Sequence, residues 1–282
     1  MVYKSIQQFQ LRQEFGSEKQ ALAVLNKARE LGFEQIELNG FMLQKMSLGV
    51  RGLLRISGMP LGKAGNLNWK ELISESGLGV TSIHQYFNGL EKEPEKSIEE
   101  ARNFGTNNIV LTGLQKFDFS SLDNVLALCE SLNKIGERLS KDKINFLYHN
   151  HNCEFLKVDN EKTAFDIILE ETDKRYVAFE FDSYWPAEAG CDITKLMNQI
   201  GERLKLYHIN DRGNRPSGRT TSILKSDSIE LGYGNMNLEK YIEIALSNNV
   251  EAIVLETTKN WINNSGIQSM ELSARFMNKY VR

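Results

Sequence analysis

Short apolar segments alternate with longer amphipathic ones along the 282 residues of this chain, and this alternation restricts the fold more than any other feature. The apolar segments are typical of buried parallel strands, and the amphipathic segments are typical of the helices that cover them. We predict strands at residues 5–9, 35–38, 79–84, 108–113, 144–151, 176–182, 204–211 and 251–256. We predict helices at residues 17–31, 68–78, 91–104, 121–139, 162–171, 193–200, 238–247 and 267–280.

Strands that alternate with helices pair in parallel, because each helix returns the chain to the same end of the sheet. Eight such units in a chain of this length are typical of a (β/α)8 TIM barrel, and we predict one barrel domain over residues 1–282. A doubly wound open sheet is the alternative. It would usually have a glycine-rich phosphate turn after the first strand, where this chain has LRQEFGSEK with one glycine.

The composition favours a soluble protein of the cytoplasm and argues against several function classes. The net charge of −3 gives no general attraction to nucleic acid or to an anionic membrane. The three cysteines do not form a disulfide pattern, which fits a reducing compartment. No secretory signal or membrane-spanning run is visible. We therefore expect a small-molecule substrate and no nucleic-acid or membrane partner, while a homo-oligomer stays open.

Ionisable residues stand at the predicted carboxyl ends of several strands, which is where TIM barrels carry their chemistry. All four histidines of the chain are among them. The residues are Glu37, His84, His149, His151, Asp182, His208 and Glu256, and Asp211 comes just beyond the seventh strand. Because His149 and His151 are two positions apart, they point to the same side of a continuous strand.

Asp182, His208 and Glu256 each end an apolar strand, where a charge without a partner is costly. Imidazole and carboxylate groups at one end of a barrel favour a site for one divalent metal ion, with Mn, Zn, Co, Fe and Mg all open. For any single histidine, a structural hydrogen bond is the commoner alternative. Glu37 and His84 are open between substrate contact and structural pairing, whereas Asp211 is expected to orient His208 or a substrate hydroxyl.

Two further groups of residues are candidates for substrate contact. Four cations lie in the longest non-periodic region, residues 212–237, and they are Arg212, Arg215, Arg219 and Lys225. They could close over a substrate and bind a phosphate, with Arg212 as the best candidate, or they could form a solvated loop. Tyr184 and Trp185 could form one wall of the pocket or fill space below the loops.

The order and spacing of five motifs resemble the sugar phosphate isomerase/epimerase family, which has the xylose-isomerase-like TIM barrel and includes inosose dehydratase and the ketose 3-epimerases. The motifs are IQQFQLRQEF at residues 6–15, YHNHNCEF at 148–155, FDSYWPAEAGCDI at 181–193, YHINDR at 207–212 and LGYGNMNL at 231–238. The resemblance covers nearly the whole chain. It departs from the common pattern at Asn210, where lysine is usual, and at Tyr233, where an acidic residue is usual.

The resemblance implies that a divalent ion is bound at the ends of strands five to eight. The corresponding residues are His149, Asp182, His208 and Glu256. The epimerases have a glutamate where this chain has His149, and Glu154 in the next loop could replace it as a ligand or as a base.

Together these features predict a metal-dependent sugar isomerase or epimerase that abstracts a proton next to a carbonyl through an enediolate. His151 or Glu154 is expected to be the general base, and Glu256 is expected to move a proton while it binds the metal. The predicted substrate contacts are Glu37, His84, Asp211, Arg212 and Trp185. Loss of a β-hydroxyl would instead make the protein a dehydratase (a lyase) for a keto-inositol or keto-sugar, which is the alternative.

Two other function classes stay open. Abasic-site DNA endonucleases share this barrel, but they need three metal ions, more histidines than the four present, and a basic face for phosphates. A barrel that binds its ligand without catalysis is also compatible with the sequence, although the three ligand-type strand ends argue against it.

Overall fold

The structure is a computed structural model that describes residues 2–45, 63–114, 116–158, 161–216 and 223–282. Eight parallel strands form a closed barrel in the order β1-β10-β7-β6-β5-β4-β3-β2, so the predicted (β/α)8 TIM barrel is confirmed. The barrel strands are β1 (Tyr3–Gln7), β2 (Gln35–Asn39), β3 (Gly79–Gln85), β4 (Asn108–Leu111), β5 (Asn145–His149), β6 (Val177–Asp182), β7 (Leu204–Ile209) and β10 (Ala252–Leu255). Two short strands, β8 (Asp211–Gly213) and β9 (Asp227–Ile229), pair antiparallel after β7.

Helices alternate with the barrel strands. They are Glu18–Glu30, Gly40–Leu43, Trp69–Ser76, Phe87–Lys92, Pro94–Asn103, Leu122–Ser140, Ala164–Glu171, Tyr184–Glu188, Ile193–Ile200, Leu238–Ser247 and Gly266–Tyr280. Several begin at a side-chain cap, such as Thr163 and Asp166, which form a reciprocal capping box. Within the described part of the chain, no helix combines the length and the apolar character needed to cross a membrane.

The contacts divide the chain into two compact units. One unit consists of residues 1–81, 209–242 and 252–282, and in it β1 pairs with β2 and with β10. The other consists of residues 82–208 and 243–251. In this second unit the strands pair in chain order from β3 to β7, with His149 opposite Glu180 and Asp182 opposite His208.

The structure differs from the predicted elements at several places, and three of them are described here. β1 ends at Gln7, because the Gln7 side chain accepts a hydrogen bond from the Phe9 N–H (2.9 Å) and the chain turns into a 3-10 helix. β5 ends at His149, so His151 lies beyond the strand and the alternation argument does not apply to it. The helix predicted at residues 91–104 is two helices, and the second begins at Pro94, a favoured first position.

Strand β6 shows how the barrel places apolar side chains against the helices and polar side chains in its interior. Phe179 and Phe181 point outward, where their ring centroids lie 5.7 and 6.2 Å from that of Phe165 on a covering helix. Glu180 and Asp182 alternate with them and point to the opposite face. Both faces are buried, as expected for a parallel strand under helices. The strand therefore places two carboxylates inside the barrel.

Candidate metal-binding site

Four buried side chains from four strands of the second unit lie together. They are His84 on β3, His149 on β5, Glu180 on β6 and His208 on β7, and their potential ligand atoms lie within 4.8 Å of one another. Each stands at or near the carboxyl end of its strand, so parallel pairing brings them to the same level. The sequence predicts the three histidines but misses Glu180.

Glu180 contacts all three imidazoles through a single oxygen. Its Oε2 lies 2.9 Å from His84 Nε2, 2.9 Å from His149 Nδ1 and 3.3 Å from His208 Nε2. Burial alone would raise the pKa of Glu180, but the charges of His208 and His84 and the hydrogen bond from His149 outweigh burial and hold that pKa well below its ordinary value.

His149 and His208 also belong to a second group, whose other members are Asp182 and Glu256. The ligand atoms of this group lie within 4.8 Å of one another as well. The structure thus brings together the four side chains predicted to bind a metal ion, while their role as ligands stays a prediction.

Asp182 is held in place by the ends of β5 and β6. The Tyr184 N–H donates to Asp182 Oδ1 (2.7 Å), and the Asn150 side-chain amide exchanges two hydrogen bonds with the Asp182 backbone (2.9 and 3.0 Å). Asp182 is 1% exposed, and His208 is fully buried.

The donor set fits the predicted divalent ion. Two imidazoles and two carboxylates are ligands that Zn, Mn, Fe and Co accept, and they leave positions open for substrate or water at higher coordination numbers. Carboxylates and imidazoles at this depth also need a counter-charge or a hydrogen-bond partner. The residues present therefore fit one divalent ion, whose identity stays open.

Arg12 is an unpredicted basic group near Glu256. Its guanidinium donates to the carbonyl oxygens of Phe9 (2.9 Å) and Thr258 (2.8 Å) and lies over the rings of Phe9 and Trp261, 4.3 and 4.8 Å from their centroids. Burial lowers the pKa of Arg12 to about 10, and the charge of Glu256 acts in the opposite direction. The two opposite charges therefore lie close together.

His151 lies at one side of the candidate site, beyond β5. Its ring centroid is 5.0 Å from that of His149 and 5.5 Å from that of Trp185. Gly113, after β4, leaves the space that this ring occupies, because a Cβ atom at Gly113 would lie 2.7 Å from His151 Cε1. His151 and Trp185 are both half-buried, so a substrate can reach them.

We expect Gly113→Ala to displace the His151 ring, because the new methyl group would overlap it. Gly113 has φ +68° and Gly105 has φ +70°, but a Cβ at Gly105 meets no atom within 4 Å. Gly105→Ala is therefore a matched control with the same backbone strain, about 1 kcal/mol. The His151 ring resonances in NMR spectra should move in Gly113→Ala and stay unchanged in Gly105→Ala. Equal shifts in both variants would contradict this assignment.

Glu154 accepts three hydrogen bonds at the end of β5 and in the loop after it. Its Oε1 accepts the Tyr148 hydroxyl (2.9 Å), and its Oε2 accepts the His151 N–H (3.0 Å) and the Cys153 thiol (3.1 Å). Tyr148 neighbours His149 on β5 and so points away from the barrel interior. Glu154 therefore anchors the loop after β5, and its role as ligand or general base stays a prediction.

Asp211 accepts four backbone hydrogen bonds. Its Oδ1 accepts the backbone N–H groups of Arg212 (2.8 Å) and Met236 (3.2 Å), and its Oδ2 accepts those of Gly232 (3.0 Å) and Gly234 (2.9 Å). Burial raises the pKa of Asp211, and these hydrogen bonds oppose the rise. These contacts anchor a turn, and the orientation of His208 or a substrate hydroxyl by Asp211 stays a prediction.

The remaining predicted contacts have mixed surroundings. Glu37 is buried and accepts a hydrogen bond from the Nε2 atom of Gln7 (2.8 Å). The Oε1 atom of Gln7 in turn accepts a hydrogen bond from Asn39 Nδ2 (2.6 Å). Arg215 forms an ion pair with the buried Glu230, which ties it to the protein. Among the other predicted loop cations, Arg212 is half-buried, Lys225 is exposed, and Arg219 lies outside the described residues. Substrate contact by Glu37, His84, Arg212 and Trp185 stays a prediction.

The closed parallel barrel and the buried cluster of histidines and carboxylates define a class of proteins with one polar site at the carboxyl ends of the strands. The model of the xylose isomerase-like TIM barrel family matches residues 25–280. This chain belongs to that family, as the motifs indicate. Among curated proteins, no sequence matches it.

Solved structures with the same fold include proteins of different activity. A sugar phosphate isomerase/epimerase from Parabacteroides distasonis has 20% sequence identity and a TM-score of 0.76, with 100% of each chain covered. A probable 3-DHS dehydratase involved in petrobactin synthesis in Bacillus anthracis has 18% identity and a TM-score of 0.65, with 99% of each chain covered. An L-ribulose 3-epimerase has 14% identity and a TM-score of 0.66, covering 100% of this chain and 95% of its own.

Proposed function

We propose that this protein is a divalent-metal-dependent isomerase or epimerase that removes a proton next to the carbonyl of a small sugar-like substrate. The observation that carries the proposal is the group formed by His149, Asp182, His208 and Glu256, whose ligand atoms lie within 4.8 Å of one another. Family membership supports an enzyme of this type.

The residues around the group have separate roles in this proposal. A bound divalent ion would polarise the carbonyl and stabilise the negative charge that develops on its oxygen. His151 is the general base, since it is half-buried beside the group and its ring can accept a proton at neutral pH. Glu256 binds the metal and moves the second proton. Trp185, beside His151, gives a flat apolar surface for the C–H face of a sugar.

Dehydration is the second candidate outcome, and the residue at the end of β5 favours it. The resemblance implies a glutamate at this position in the ketose epimerases, whereas this chain has His149 there. Glu154 accepts the Tyr148 hydroxyl, which supports a role for it in anchoring the loop after β5. With one of the two epimerase carboxylates missing, His151 can pass the proton it takes from the α carbon to a β-hydroxyl instead of returning it to carbon. The β-hydroxyl then leaves as water, and an α,β double bond forms.

The experiment is proton NMR in deuterated water with the Mn-loaded protein and a panel of pentuloses, hexuloses, their phosphates and keto-inositols. We expect solvent deuterium at an α carbon of one substrate class, with a new epimer or isomer for the first outcome and an α,β-unsaturated product for the second. Chelation should stop the exchange and Mn should restore it.

The general base has its own test in the same assay. His151→Gln should reduce the exchange by about 10²- to 10⁴-fold, the usual contribution of a general base, and should leave the metal content unchanged. Absence of exchange and product across the whole panel with the metal-loaded protein would refute the proposal.

A further inference from the structure

His151, the general base of the proposed function, lies outside the regular elements of the barrel. Strand β5 ends at His149, and the next element is the 3-10 helix Cys153–Phe155, so His151 stands on the short loop between them. A catalytic group on a loop is placed less precisely than one on a strand, although catalytic geometry has to be kept within about 0.5 Å. The contacts that fix this loop therefore matter for the chemistry.

Glu154 connects this loop to the strand before it. Its side chain is 1% exposed, and each carboxylate oxygen accepts a hydrogen bond from a different side of the loop. Oε1 accepts the hydroxyl of Tyr148, which is fully buried on β5, at 2.9 Å. Oε2 accepts the backbone N–H of His151 at 3.0 Å. The carboxylate thus ties the His151 backbone to the strand that carries His149.

The position of the His151 ring depends on this backbone contact. The ring centroid lies 5.0 Å from that of His149 and 5.5 Å from that of Trp185. The ring also lies against Gly113, where a Cβ atom would be 2.7 Å from His151 Cε1. A shift of the loop would move the ring against Gly113 or away from His149. A misplacement of about 1 Å can reduce the rate of a reaction by about 10²-fold.

We propose that Glu154 is a positioning residue, which holds His151 at the candidate site through the His151 backbone, and that the Tyr148 hydroxyl supports it. The inference rests on the proposed function, in which His151 is the general base. A glutamine can do the same task, since its oxygen can accept the His151 N–H while its amide group donates to the Tyr148 hydroxyl. A general base needs the carboxylate itself. Glu154→Gln therefore separates the two roles.

The first test is structural and uses the metal-free protein. NMR measures the hydrogen exchange of the His151 backbone amide and the resonances of its ring. In Glu154→Ala we expect the amide to exchange about 10-fold faster or more, the usual effect of losing a hydrogen bond to a charged group, and the ring resonances to move. Glu154→Gln should keep both close to the wild type. Wild-type exchange and ring resonances in Glu154→Ala would overturn the proposal.

Tyr148→Phe tests the same contact with a smaller change, which matters if Glu154→Ala does not fold. It removes one hydroxyl and should increase the exchange of the His151 amide by less than Glu154→Ala does. Tyr207→Phe is the matched control. Tyr207 is equally buried and precedes His208 on β7 as Tyr148 precedes His149 on β5, but its hydroxyl contacts Ser183 (2.9 Å). Equal effects of the two substitutions on the His151 amide would contradict the proposal.

The second test uses deuterium incorporation with the Mn-loaded protein and the substrate that the panel identifies. Glu154→Ala should reduce the exchange at the α carbon by about 10²-fold, whereas Glu154→Gln should stay close to the wild type and both should retain the metal ion. In the His151→Gln background, Glu154→Ala should cause no further loss, because it acts through His151. Equal losses in Glu154→Gln and Glu154→Ala would show that the carboxylate itself is needed and would overturn the proposal.

The two tests separate this proposal from the proposed function. If the wild-type protein exchanges no proton of any substrate, the proposed function fails, and the amide exchange of His151 still decides whether Glu154 holds the loop. If the wild-type protein is active but Glu154→Gln is as impaired as Glu154→Ala, the proposed function stands and the positioning role fails.

Discussion

On the proposed function, the wild-type protein is expected to retain a divalent ion on purification, and the His208→Ala variant is expected to lose it. His208 is fully buried and is a member of both candidate groups, so its removal takes a nitrogen from either arrangement. Loss of a residue that only hydrogen-bonds to a metal ligand reduces metal affinity by about 10- to 100-fold. Loss of a direct ligand should reduce metal affinity by more than this. Elemental analysis after dialysis and calorimetric titration with Mn and Zn measure the effect.

His84→Ala is the comparison for this prediction. His84 also lies close to Glu180 (2.9 Å, against 3.3 Å for His208) but belongs only to the group that lacks Asp182 and Glu256. If the ion binds between Asp182 and Glu256, His84→Ala should keep its metal with less than about a 10-fold loss of affinity. Equal loss in both variants would instead locate the ion next to Glu180, and full metal retention in His208→Ala would contradict the site.

The largest expected effect on stability comes from Phe179→Ala, on the outward face of β6. The Phe179 ring is fully buried, contacts the rings of Tyr148 and Phe165, and lies under the Arg203 guanidinium, 4.7 Å from its carbon to the ring centroid. Removing a ring from such a site leaves a cavity and costs about 3–5 kcal/mol. Urea denaturation should show this decrease in the free energy of unfolding.

Tyr233→Ala is the control, because it removes an aromatic ring that is exposed to solvent. Tyr233 is 56% exposed, and surface substitutions of this kind change the free energy of unfolding by about 0.5 kcal/mol or less. The metal affinity of Phe179→Ala, measured where the variant is folded, should be close to that of the wild type because the ring faces away from the site. A change below about 1 kcal/mol in Phe179→Ala would show that the outward aromatic layer is not tightly packed.

The fold was predictable because the barrel repeats one simple pattern. Buried strands such as Val177–Asp182 and amphipathic helices such as Ile193–Ile200 have different hydrophobic periods, and their alternation requires parallel pairing. The exact ends were less predictable. His151 follows an apolar run and reads as part of β5, but the strand ends at His149 and the next residues turn into a loop.

The candidate site was predictable where it depends on strand ends, as at Asp182 and His208. Glu180 was missed because only the last residue of each strand was predicted to be functional, and Glu180 stands two positions before the end of β6. The alternation in FEFD contains the necessary signal, since Glu180 and Asp182 must share a face.

The roles of Glu154 and Asp211 were not predictable from the sequence, for a physical reason. Both carboxylates accept hydrogen bonds from groups whose directions depend on loop conformation, such as the Tyr148 hydroxyl and the Gly232 and Gly234 N–H groups. Residue type and spacing do not determine such directions outside regular elements. Arg12 was similarly hidden, because its partners Phe9 and Trp261 lie far apart in the chain.

The alternation along β6 has a consequence for how this barrel can diversify. Substitutions at Glu180 and Asp182 would change the candidate metal-binding site, whereas substitutions at Phe179 and Phe181 would change the packing of the strand against its helix. New activities can therefore arise at the inner positions while the outer ones keep the scaffold intact. Insertion or deletion of one residue within this strand would exchange the two sets, placing carboxylates against Phe165 and aromatic rings in the polar cavity.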